Sequence, residues 1–163
     1  MTSAGDGGAE LDFLFDLNGF VRLPQALSPG LVHALNGALT ALPQVEPGSW
    51  HGHVQRQNHD AQRGINWQNI TEAGEPFEAL IDHPSWIEHV GRWIGSRDSL
   101  FIDEAFANIR GLGGAINVHG GGVGADGSLN YNGLYHYDNG RFSCGQVNVL
   151  IALTNIGPGD GAT

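Results

Sequence analysis

The chain is 163 residues long, the size of one domain or part of one, and is 40% apolar with 26 glycines, enough for a core and many turns. A net charge of −10 excludes the basic footprint that nucleic acid or an anionic membrane surface needs. All seven basic residues are arginine, which excludes a Schiff-base, pyridoxal phosphate or Walker A lysine within this stretch, and the lone Cys144 excludes an internal disulfide. Residues 1–12 are small, polar and acidic, without the basic and apolar regions of a signal peptide, and no apolar run would span a bilayer. They predict a disordered start to a soluble, cytoplasmic protein.

Asn18-Gly19 signals a turn, and Phe20–Leu23 reads as a short strand before Pro24. Ser28-Pro29 opens a helix, with Ser as N-cap and Pro at the first position, where its missing N–H costs nothing. Leu31, Val32, Leu35, Leu39 and Leu42 form its apolar stripe, and Pro43 ends it. Residues 44–74 are expected to be an irregular flap or loop, with Trp50 and Trp67 at a pocket or surface. A second helical stretch starts near Glu75-Pro76 and places Phe77, Leu80 and Ile81 on one side. After His83-Pro84, Ser85 is expected to cap a third helix that carries Trp86, Ile87, Val90, Trp93 and Ile94 and ends at Gly95.

Beyond Gly95 the period changes from helical to alternating. Residues 100–110 and 115–119 predict strands, and residues 120–130 a glycine-rich loop. Residues 131–138 and 141–154 predict two strands joined by Asn139-Gly140, a strong hairpin signal. In the last strand Gln146, Asn148 and Thr154 share one face, opposite Val147, Val149, Ile151 and Leu153. Helices first and strands afterwards argue for an α+β fold, with helices buttressing an antiparallel sheet.

His136 and Asp138 stand two apart on a predicted strand and therefore share a face. An imidazole and a carboxylate so placed are two corners of the facial triad that holds non-haem Fe(II). A surface strand edge beside a tight turn is the plainer reading. His119, followed by Gly120-Gly121, is a rival ligand, and a loop histidine bonded to a carbonyl is its plainer reading. His51-Gly-His53 with His59-Asp60 reads as solvated histidine rather than a second metal cluster. Gly122–Gly127 matches G-x-G-x-x-G, but no helical pattern follows, so a dinucleotide site is not supported. Cys144 has no evident base partner.

With these residues in place, the chain resembles the phytanoyl-CoA dioxygenase family of Fe(II)- and 2-oxoglutarate-dependent oxygenases. Phe15-Asp-Leu-Asn-Gly-Phe-Val-Arg-Leu23 and the Leu-Ser-Pro that follows look like its opening strand and helix. Residues 76–84, running on to Val90-Gly-Arg-Trp-Ile-Gly95, are similar to its second helical segment, and residues 149–161 to the strand and turn before its Pro-Gly-Ser-His motif. The likeness runs from about residue 13 to residue 163 and rests on the order and spacing of these pieces.

The resemblance implies a helical front followed by the first half of a double-stranded β-helix, a cupin-like jelly roll, in a partial domain over residues 13–163. It implies Fe(II) held by His136, Asp138 and a later histidine, with 2-oxoglutarate as co-substrate oxidised to succinate and CO2 while a small or lipid-like organic substrate is hydroxylated. Gln146, Asn148 or Thr154 would hydrogen-bond the co-substrate. If His119-Gly-Gly121 instead fills the family's His-x-Asp position, Gly121 stands where the carboxylate belongs, as in halogenating relatives. The distal histidine and the arginine that binds 2-oxoglutarate have no counterpart up to Thr163, so the chain reads as truncated and inactive alone. An open roll leaves strand edges unpaired, which predicts oligomers or poor solubility. The competing reading is a non-catalytic jelly-roll relative that binds a ligand, or an inert fragment.

Overall fold

Ser28 does what its position predicts. Its hydroxyl accepts a hydrogen bond from the Leu31 N–H at 3.2 Å and starts helix α2, Pro29–Ala41. In this computed structural model, which describes residues 6–58, 64–98, 100–111, 126–128, 135–157 and 159, that helix lays its leucine stripe on an antiparallel sheet. The sheet has four strands, β1 (Trp50–His51), β2 (Val54–Arg56), β3 (Ile65–Gln68) and β4 (Phe106–Ile109), in the order β1-β2-β3-β4. Arg56 faces Trp67, and Trp67 faces Ala107, so Val54, Ile65, Trp67 and Ala107 point to one face by the two-residue period. That face meets Leu35 of α2, Ile70 of a 3-10 helix (Ile70–Ala73) and Phe77 of the short helix α3 (Glu75–Glu78). Burial of side chains of this size contributes about 1.5–3 kcal/mol each, which makes this cluster the main packing of the sheet. Asn66 lies on the opposite face and is also buried; its amide donates to Asn108 Oδ1 at 2.8 Å, and its Oδ1 accepts from Gln68 at 3.0 Å.

The described residues divide into two compact units. The sheet, α2, the 3-10 helix, α3 and residues 150–157 make one. The other contains α1 (Asp6–Asn18), α4 (Ile87–Ile94) and a separate hairpin of β5 (Tyr135–Asp138) and β6 (Arg141–Cys144). Here Phe15 stacks on Trp93 with ring centroids 3.9 Å apart, and Phe142 approaches Phe15 at 6.0 Å. The hairpin turns at Asn139 and Gly140, with φ of 49° and 78°. Two consecutive positive φ values define the type I′ turn that Asn-Gly favours, and its twist suits the two strands.

The architecture is α+β, helices with antiparallel strands, but not with helices first and strands afterwards: β1, β2 and β3 precede α3 and α4. Several local expectations are corrected. Residues 44–74 hold three of the four sheet strands rather than an irregular flap, and Trp67 is 3% exposed, a core residue. Strands of two to four residues are too short for alternation to show in a Gly-, Gln- and Asn-rich run, and β3 gains its other partner about 40 residues later. Phe20–Leu23 forms no strand, and Phe20 is 64% exposed; this stretch connects α1 to α2. Residues 6–12 are helical where disorder is expected from composition. Trp86, not Ser85, stands at the N-cap of α4, and the Ser85 hydroxyl donates to the Ala26 carbonyl at 2.8 Å. The strand expected over residues 100–110 shortens to β4. The strand expected over residues 141–154 ends at Cys144, and Val149, expected on its apolar face, is exposed. Residues 115–119 lie outside the described residues.

Candidate functional site

The hairpin has two chemically distinct faces, and its register assigns every side chain to one of them. Tyr135 pairs with Cys144 and Tyr137 with Phe142; His136 pairs with Ser143 and Asp138 with Arg141. Directly opposed residues share a face. One face is thus Tyr135, Tyr137, Phe142 and Cys144, and the other is His136, Asp138, Arg141 and Ser143. The aromatic face is the one held by α1. The Tyr135 hydroxyl donates to Asp16 Oδ1 at 2.5 Å, and Phe142 approaches Phe15. That hydrogen bond, then burial and the Asp16 charge, push the Tyr135 phenol up to about 12. Burial, with the Asp16 charge behind it, also pushes the Cys144 thiol up, which disfavours the thiolate a nucleophile requires.

His136 and Asp138 are exposed on the polar face, side by side as the spacing predicts. Asn139 donates to Asp138 Oδ2 at 3.4 Å, a long contact that leaves the carboxylate's other oxygen accessible to further partners. An imidazole and a carboxylate two residues apart on a strand are a donor pair suited to a divalent metal of intermediate hardness. Among the described residues no group of three or more His, Cys, Asp and Glu side chains converges as a metal site. His119 and Gly121 lie outside the described residues.

The polar residues expected to line the co-substrate pocket are not assembled by a strand. Gln146 and Asn148 are exposed beyond the end of β6, and Thr154 is exposed in the stretch that belongs with the sheet. Leu153 packs against the core, and its carbonyl accepts from Asn36 at 2.8 Å, so backbone anchoring rather than a ladder orders this segment.

Beside the sheet, residues far apart in sequence line an open cleft of about 540 Å³, made by His53, Asn69, Thr71, Glu72, Ile102, Asp103 and Ala105. It brings an imidazole, two carboxylates, an amide and a hydroxyl around one space. Asn69 occupies the left-handed region with φ 56°, and its amide donates to the His53 carbonyl at 3.3 Å, while the Ile70 N–H bonds the Ala105 carbonyl at 3.1 Å. The sequence carries no local signal for this cleft, because three separate segments create it.

Compared with family models, curated proteins and solved structures, the chain matches none of them.

Proposed function

We propose that the chain is an oxygenase domain of the phytanoyl-CoA dioxygenase type, using Fe(II) and 2-oxoglutarate to hydroxylate a small or lipid-like organic substrate. The observation that carries this reading is the placement of His136 and Asp138 on the exposed polar face of β5, backed by an aromatic face docked on a helix. The antiparallel sheet and the separate hairpin, preceded by helices, support the jelly-roll form of the α+β fold in this reading. When bound, the iron with its keto-acid co-substrate would supply the oxidising power for C–H hydroxylation. His136 would give a neutral imidazole and Asp138 a carboxylate to the metal. Tyr135 and Phe142 would hold the strand still through α1, because a site on an unsupported hairpin would be too loose to orient ligands.

The test is a Co(II) titration followed by visible absorption, with His136→Ala and Asp138→Ala alongside the parent chain. The reading expects saturable binding that weakens by about tenfold or more in each variant, the loss typical when even a supporting group of a metal site is removed. Failure of the parent to bind, or unchanged binding in both variants, would overturn the proposal and leave a non-catalytic ligand-binding domain as the better reading.

A further inference from the structure

Asp12 on α1 and three residues on α4 form a connected cluster. The Asp12 carboxylate accepts from Arg92 Nε at 3.1 Å, Arg92 Nη2 at 2.9 Å and the Trp93 indole N–H at 2.7 Å. The same Arg92 Nη2 lies 2.8 Å from His89 Nδ1. Arginine only donates hydrogen bonds, so Nδ1 must carry its lone pair and the imidazole must be neutral with its proton on Nε2. Protonation would place an N–H against an N–H and a second positive charge beside the guanidinium. We propose that His89, Arg92 and Asp12 form a proton-operated latch that docks α1 on α4 near neutral pH and releases it in mild acid.

The consequence reaches the hairpin. Helix α1 holds β5 and β6 through the Tyr135–Asp16 hydrogen bond and the Phe15–Phe142 contact, and Phe15 covers Trp93. Release of α1 would uncover Trp93 and the aromatic face and leave the strand that carries His136 and Asp138 unsupported. The latch itself does not depend on metal binding there.

The charges acting on His89 come from two elements. Its own helix supplies Arg92, which opposes protonation, and Glu88, which favours it but is ion-paired with Arg97; α1 supplies Asp12, which favours it. The third element packed on α4, β6, carries Arg141 and Cys144. Burial first, and then the Arg92 charge, hold His89 below its ordinary value. The sign follows: a lowered folded value favours the neutral form in the docked state. The stabilisation is complete above the ordinary imidazole value of about 6.5 and is lost as pH falls through the folded value.

The experiment is nuclear magnetic resonance of the whole chain from about pH 7.5 to about pH 5, the range in which histidine charge changes. It follows the Trp93 indole N–H, amide exchange in α1 and the His89 ring nitrogens, in the parent and in His89→Asn. Asparagine keeps an acceptor near the Nδ1 position and cannot be protonated. The expected result is a Nε2–H tautomer at neutral pH and loss of the Trp93 indole hydrogen bond on acidification. Amide exchange in α1 should rise as the pH falls, because the docked form favours the neutral imidazole. Amides of the sheet should stay protected, and His89→Asn should show no step. A proton on Nδ1 at neutral pH, no step in the parent, or the same step in His89→Asn would each overturn the proposal.

Discussion

Gly64 should tolerate no side chain, and the reason can be separated into two costs. It precedes β3 with φ +92°, where L side chains are strained, and a Cβ there would lie 2.2 Å from the Ile109 carbonyl oxygen and 3.3 Å from Arg110 Cα. Contacts of Cβ below 3.0 Å essentially do not occur, so the carbonyl must retreat by about 0.8 Å. Ile109 is paired with Ile65, so this movement pulls on the last rung of the β3–β4 ladder. The positive φ costs about 1–2 kcal/mol for alanine, and forcing a methyl into a filled space adds about 1–3 kcal/mol. Gly64→Ala should therefore lose roughly 2–5 kcal/mol, a large part of the ~5–15 kcal/mol that holds a domain together.

Gly52→Ala is the matched control. Gly52 has φ +58° in the turn between β1 and β2, with nothing within 4 Å of the added Cβ. It should lose only the conformational part, and the unfolded-state gain from replacing glycine cancels between the two variants. Urea unfolding followed by tryptophan fluorescence, which reports the buried Trp67, measures both. For a slope of about 2 kcal/mol per molar urea, a ~2 kcal/mol excess places the Gly64→Ala midpoint about 1 M below that of Gly52→Ala. Equal midpoints would show that the Ile109 carbonyl does not press on this position and would refute the steric reasoning.

Tyr135 should ionise near pH 12 in a near-ultraviolet absorbance titration. Asp16→Asn should return it toward the ordinary value of about 10. Because the folded value is raised, the stabilisation is present below about pH 10 and disappears as pH rises through the folded value; a Tyr135 that titrates at the ordinary value of about 10 would contradict the hydrogen bond. Ser28→Ala should cost about 1 kcal/mol through loss of the α2 cap, and Ser28→Asp should retain most of it. Thermal melts of the two variants decide this, and a Ser28→Ala melt equal to the parent's would refute the capping role.

Where one signal sufficed, the sequence by itself determined the local structure. Ser28-Pro29 starts α2, Gly95 in the left-handed region stops α4, and Asn139-Gly140 turns the hairpin, because backbone preferences of single residues act over a few positions. The alternation that puts His136 and Asp138 on one face is equally local, since it needs only that β5 be extended. Helical and alternating stretches are both legible in the sequence, hence the α+β class, but their order along the chain is not.

Tertiary structure alone decided the rest. Strands β1 to β3 carry too few residues to show a period, and they exist because each has a hydrogen-bonding neighbour, β4 among them. Trp67 is buried because α2 covers that face of the sheet, and Asn66 is tolerated inside because Asn108 and Gln68 meet its amide. Ser85, a cap by its spacing, bonds Ala26 instead, a partner that no local pattern names. The cleft at His53, Glu72 and Asp103 and the Asp12–Arg92–His89 cluster likewise join residues distant in sequence. Strand pairing, burial and charge contacts are all satisfied by the partner, so a pattern along the chain shows the demand and only the fold shows what meets it.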